Sequence, residues 1–282
     1  EPVVFPASGS GLPDNYGTHD IVADEAGCIY LWFSNARDKT YALVANGCTN
    51  TVAIKDSVGS SGVTVNGEDA AFGPTNYVTA GWSNSSRDIR LFGTGPFVVS
   101  GANAASGVRL VGVANATNTV ILSNLTLGAG GDSRSALLLE SGANMTLVLE
   151  GTNTLWSGPK RAGIGVGSER TLSITNAPGD DAATLVVAGG SGGAGIGGNR
   201  STSGGAITIS GGRVLATAGT SGAAIGGGSK GSGGTTTISN ATVVAISDAG
   251  GAGIGGGHDG SNGGTVVIAS GTVTATSRTG AG

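Results

Sequence analysis

Charge is scarce in this chain. Asp, Glu, Lys and Arg make up 11% of its 282 residues, less than half of the ~25% usual in a soluble domain. Fourteen cations against 18 anions leave a net charge of −4, with both signs dispersed. A protein that tracks phosphates along a nucleic acid needs a basic stripe, so no nucleic-acid partner is expected. The two Cys and the sparse His19 and His258 do not make a zinc-ligand pattern, and no metal or other cofactor is expected. Seven Pro and no Gly-x-y period exclude collagen. No apolar run approaches the ~18 residues of a spanning helix, which argues against membrane insertion. Disorder is a poor fit, because the 38% hydrophobic content is strictly spaced Val, Ile, Leu and Ala.

Glycine is abundant: 56 residues, about one in five, against the usual ~7%. Much of it lies in repeats. Gly193-Ala-Gly-Ile-Gly197, Gly222-Ala-Ala-Ile-Gly226 and Gly251-Ala-Gly-Ile-Gly255 place Ile196, Ile225 and Ile254 at a constant interval of 29. A looser copy, Arg161-Ala-Gly-Ile-Gly165, puts Ile164 32 positions before Ile196. Each motif is followed by a polar Gly-rich loop, then a short alternating strand (Ala206-Ile-Thr-Ile-Ser210, Thr235-Thr-Thr-Ile-Ser239, Thr265-Val-Val-Ile-Ala269). A Gly- or Asn-bearing turn and a second strand (Val214–Ala216, Val243–Ala245, Val273–Ala275) complete the unit. Period-2 alternation of β-branched residues means strands, not helices. A tandem unit of 29 residues with three extended segments matches one coil of a parallel β-solenoid. A β-sandwich is the rival all-β fold, but it predicts no fixed period. The fold expected is all-β: a right-handed parallel β-helix with an N-terminal cap. Ile164, Ile196, Ile225 and Ile254 form its inward ladder, with coils about 4.8 Å apart.

Upstream, strand-like segments from Ile89-Arg-Leu-Phe92 to Thr184-Leu-Val-Val187 carry the pattern on in looser form. Residues 85–282 are therefore read as the β-helix, in six or seven coils and clearest from 161. Residues 1–84 are read as an N-terminal cap with an irregular first coil, since an open coil is a sticky sheet edge. Cys28 and Cys48 lie in this segment, near the ends of two aromatic stretches about the polar turn Ser34–Asp38. A disulfide between them is expected, two independent thiols being the alternative. The next ladder isoleucine falls due just past Gly282, so the chain is expected to be a piece of a longer protein, the alternative being an end docked on another molecule.

Several chemistries are weak. Gly195-Ile-Gly-Gly-Asn-Arg200 lacks the third glycine of a dinucleotide loop and no helix follows. Gly256-Gly-His-Asp-Gly-Ser-Asn262 has one Asp, while its sister loops carry Asn199-Arg200 and Ser229-Lys230, which opposes a calcium array. Hydrolysis of a glycoside usually requires two carboxylates about 5–9.5 Å apart. Asp248 and Asp259 occupy different places in the repeat, and Asp180-Asp181 belong to a turn. The Thr-bearing strands fall short of the long regular ranks an ice-binding solenoid needs. The chain is therefore expected not to be an enzyme. Glycan binding is better served: sugar faces pack on aromatic rings, and all three Trp, four Tyr and five Phe lie at or before Trp156. Trp82 and Trp156 stand in polar stretches, and Arg161 and Glu169 belong to a mixed charge group near Trp156. These four are the glycan-binding candidates.

Leu147-Val-Leu-Glu-Gly-Thr-Asn-Thr-Leu155, Arg170-Thr-Leu-Ser-Ile174 and the successive Gly-Ala-Gly-Ile-Gly-Gly copies resemble a β-helical domain of large bacterial surface proteins. Such domains are often labelled carbohydrate-binding. The resemblance covers about residues 100–282. It implies a secreted or cell-surface location, a structural or adhesive role and a polysaccharide or cell-surface glycan as partner. It brings no catalytic motif. Two alternatives stay open. One is a filament subunit stacking head-to-tail through its C-terminal coil and the apolar Val3, Val4 and Phe5 of another copy. The other is a carbohydrate-active enzyme.

Overall fold

The computed structural model describes residues 39–45, 48–54, 61–70, 77–79, 82–85, 87–104, 107–128, 133–260 and 262–278. The chain divides into two compact units, Glu1–Ser57 and Val58–Gly282. Within the first, Lys39–Ala45 and Cys48–Ile54 form an antiparallel pair, with Ala45 opposite Cys48. Cys28 lies outside the described residues, as does the side chain of Cys48, and so does the segment holding Val3, Val4 and Phe5.

The second unit is all-β and built as a parallel solenoid of about six turns. Its strands stack in three ladders. The first runs from the leading halves of Phe97–Asn103 and Thr117–Gly128 through Asn144–Glu150, Thr171–Asn176, Ala206–Ile209 and Thr235–Ile238 to Thr265–Ile268. The second takes the trailing halves of the same two strands, then Thr152–Trp156, Thr184–Ala188, Arg213–Thr217, Thr242–Ser247 and Thr272–Ser277. The third is narrow: Asp88–Leu91, Arg109–Gly112 and Leu137–Leu139, then the two-residue strands Ile164–Gly165, Ile196–Gly197, Ile225–Gly226 and Ile254–Gly255.

Alternation decides what fills the centre. On the third ladder Ile89, Leu110, Leu137, Ile164, Ile196, Ile225 and Ile254 pair in sequence from coil to coil. All are buried except Ile254, which is partly buried. On the first ladder Val120, Leu147, Ile174, Ile209 and Ile238 form a second buried column. On the second ladder the column tapers from Leu127 and Leu155 through Val187 to Ala216 and Ala245. These rows, with the buried aliphatic side chains beside them, remove apolar area from water, the main favourable contribution to folding.

The first coil's edges are not bare. Val63–Val65 pairs antiparallel with Phe97–Asn103, and Trp82–Ser85 pairs antiparallel with Asp88–Leu91. Antiparallel strands thus occupy the hydrogen-bonding edges that a first coil would otherwise offer to another chain. At the opposite end, Val266, Val267 and Ile268 are 42–52% exposed, whereas Ile238, the register partner of Ile268, is fully buried.

Loops obey the same stacking as strands. Gly198 N donates to Gly226 O and Gly227 N to Gly255 O; Ser201 N donates to Ser229 O and Lys230 N to His258 O. Backbone therefore meets backbone from coil to coil, and at particular glycines there is no room for a β-carbon. Gly197 and Gly226 adopt φ of 138° and 129°, and a β-carbon on them would lie 1.9 and 2.1 Å from the carbonyl oxygen of the glycine in the next coil. Gly263 lies in the last described coil, and a β-carbon there meets nothing within 4 Å, whereas one on Gly233, a coil earlier, would lie 2.0 Å from Gly263 O. Gly226→Ala is expected to cost about 3 kcal/mol or more, combining a disfavoured φ with a backbone clash. Gly263→Ala is expected to change stability by less than about 0.5 kcal/mol. Denaturant unfolding of the two variants measures the contrast.

Candidate glycan-contact corner

Each coil turns from the second ladder into the third through a corner. In the third coil this corner is Trp156-Ser-Gly-Pro-Lys-Arg161, leading to Ile164. Trp156 ends its strand and is half-buried. Its register neighbours are Gly128 below and Ala188 above. The indole lies over Gly128, where a β-carbon would sit 2.3 Å from both Cε2 and Cζ2 of the ring. Any larger residue at 128 would displace the ring, so the glycine makes the seat on which Trp156 rests.

Hydrogen bonds fold the corner around that seat. Ser157 Oγ donates to Arg161 O at 2.6 Å and accepts from Gly190 N at 2.7 Å. Gly158 N donates to Arg134 O, and Arg161 Nε donates to Ser133 O at 3.1 Å. Lys160 has φ of 65°, and Gly192, Ser221 and Gly250 repeat this left-handed conformation in the following coils. Arg200 N donates to Lys160 O at 3.1 Å. These contacts bring Arg134, Lys160, Arg161 and Arg200 to the corner that follows Trp156.

Asn199 fixes this arrangement. In later coils the corner amides Ala194 N and Ala223 N donate to the loop carbonyls Gly198 O and Gly227 O. The loop after Ile164 is shorter than those after Ile196 and Ile225, and Ala162 N donates instead to Asn199 Oδ1 at 2.9 Å. The side chain from one coil replaces a missing carbonyl in the previous one.

Of the sequence candidates, Trp156 and Arg161 share this corner. Glu169 does not: it is exposed and follows the third-ladder strand, in the loop leading to Thr171. Trp82 lies in the antiparallel strand Trp82–Ser85 against the first coil, and its side chain is outside the described residues. Arg134 was not among the candidates, although register finds it: it stands three residues before Leu137 as Arg161 does before Ile164, and Leu137 pairs with Ile164. Below the corner, Arg109 grips Asp88 with two hydrogen bonds of 2.9 and 2.7 Å, and Arg134 joins the same carboxylate.

Other polar groups have structural partners. Asp180 Oδ2 accepts from Gly151 N at 2.8 Å and Asp181 Oδ1 from Asn176 Nδ2, so these neighbours stabilise turns. The first ladder aligns Thr119, Thr146, Ser173, Thr208 and Thr237 in one outward rank, a longer hydroxyl row than the sequence pattern suggests; Val267 ends it, and Asn144 and Ala206 interrupt the rank beside it. Among the described residues, no group of three or more His, Cys, Asp or Glu side chains converges on a common point. Comparison with protein-family models, curated proteins and solved structures returned no match.

Removing Asn199's acceptor leaves a partly buried amide unpaired. Asn199→Ala is expected to lose about 1–2 kcal/mol of stability, and Asn199→Asp, which keeps the acceptor, to lose clearly less. Chemical denaturation of the pair checks this.

Proposed function

We propose that this chain is a non-catalytic structural module of an extracellular surface protein, a stiff β-solenoid that contacts glycan through the Trp156 corner. The observation that carries the proposal is the seating of Trp156. A half-buried ring resting against Gly128, on a corner whose chain also carries exposed cations, has the composition of a platform for the C–H face of a sugar. The coil architecture supports the structural half. Strands and loops alike are hydrogen-bonded from coil to coil, and six turns extend this cross-section over about 29 Å of axis. Low charge and outward Thr and Ser suit exposure outside the cell. The test is retention of the intact chain on immobilised polysaccharides, with reducing ends assayed in parallel. Retention without new reducing ends is expected. Failure of every polysaccharide to retain it, or steady release of reducing ends, overturns the proposal.

A further inference from the structure

We infer that the Trp156 corner is specific for acidic glycans, chains bearing carboxylate or sulfate groups. This rests on the glycan-contact function proposed above and names the class of ligand. The chain is acidic overall, with a net charge of −4, yet this corner runs the other way. Arg134, Lys160, Arg161 and Arg200 are brought to it by the backbone contacts Gly158 N to Arg134 O and Arg200 N to Lys160 O and by the side-chain contact Arg161 Nε to Ser133 O. Among the described residues, Asp88 is the one carboxylate bound to this group, and Arg109 and Arg134 share it. Lys160, Arg161 and Arg200 make no ion pair with any described carboxylate. Lys160 and Arg200 are exposed, and Arg161 uses Nε on a carbonyl, which leaves its terminal nitrogens to face solvent.

The cations also climb the axis. Arg134 and Arg161 are register equivalents in adjacent coils, about 4.8 Å apart along the solenoid, and Arg200 enters from the coil after that. Arg161 one coil from the ion-paired Arg134, with exposed Lys160 and Arg200 near it and an aromatic ring on the same corner, suits a polymer that presents both an apolar ring face and repeated anions. Guanidinium groups bind carboxylate or sulfate through paired, charge-assisted hydrogen bonds, while Trp156 receives the sugar ring. Nucleic acid offers stacking and anions too, but the acidic chain around this small corner would repel a continuous phosphate backbone.

Fluorescence titration of the full chain with polygalacturonate, dextran and duplex DNA tests the inference. Polygalacturonate is expected to bind and to perturb Trp156 emission, with affinity that falls as salt rises. Arg161→Gln and Arg200→Gln should each weaken it about tenfold. Arg213→Gln, a cation on the second ladder away from the corner, should leave it unchanged. Trp156→Phe should remove the emission change. Equal binding of dextran and polygalacturonate, insensitive to the corner variants, overturns the acidic class and leaves glycan contact standing. DNA bound as tightly as polygalacturonate, or an emission change that survives Trp156→Phe, overturns the assignment of this corner. Binding of none of the three rejects acidic-glycan specificity, and the polysaccharide retention assay then decides separately whether any glycan is bound.

Discussion

Backbone packed on backbone, coil after coil, is the constraint from which the rest of this structure follows. In an ordinary sheet the strands hydrogen-bond and the connecting loops are free to bulge. Here the loops are part of the ladder, with amides of one coil donating to carbonyls of the next at Gly198, Ser201, Gly227 and Lys230. A buried amide without a partner costs more than a hydrogen bond gains, so once one loop is stacked its neighbours must copy its path. That copying excludes a β-carbon at positions such as Gly197 and Gly226. It also imposes left-handed backbone at Ser201, Lys230 and Asp259, where the same φ recurs at an interval of 29 despite three different side chains. The glycine excess is thus the residue-level expression of a contact distance.

This explains what could be read from the sequence and what could not. The isoleucine ladder was legible because its spacing is constant, and a constant spacing in a parallel stack means vertical superposition. The upstream strands were legible from alternation alone. Thr117–Gly128 was expected as two segments, Thr119–Leu122 and Leu125–Leu127; it is one strand bent at Asn124, whose φ of 51° forms the bulge. The antiparallel strands Val63–Val65 and Trp82–Ser85 occur once each, so no repeat exposed them. Asn199 was invisible for a different reason. Its role depends on a neighbouring loop being short, and a single residue's sequence context does not contain that information.

The candidate corner was half legible. Trp156 and Arg161 stood out by composition, as a lone aromatic and a cation in a low-charge chain. Glu169 was grouped with them because it is near in sequence, but the third-ladder strand intervenes and carries it to the following loop. Arg134 is distant in sequence and near in space, through the register that pairs Leu137 with Ile164. In a solenoid the relevant neighbour of a residue lies one period away, so proximity along the chain misleads where register does not.

The same constraint argues for where chemistry can reside in this fold. From Ile196 onward, close backbone approach leaves little space for large groups: the inward column of the second ladder has shrunk to Ala216 and Ala245, and the loops are mostly glycine. The last tryptophan in the chain lies one coil before that regular region, in a place with Gly128 beneath it and Ala188 above. The Asp88, Arg109 and Arg134 cluster lies earlier still. Regularity and recognition are therefore separated along the axis. The glycine-rich coils repeat one cross-section because nothing in them varies enough to disturb it, and the irregular coils before them, with looser spacing and larger side chains, carry the aromatic ring and unpaired cations that a ligand can distinguish.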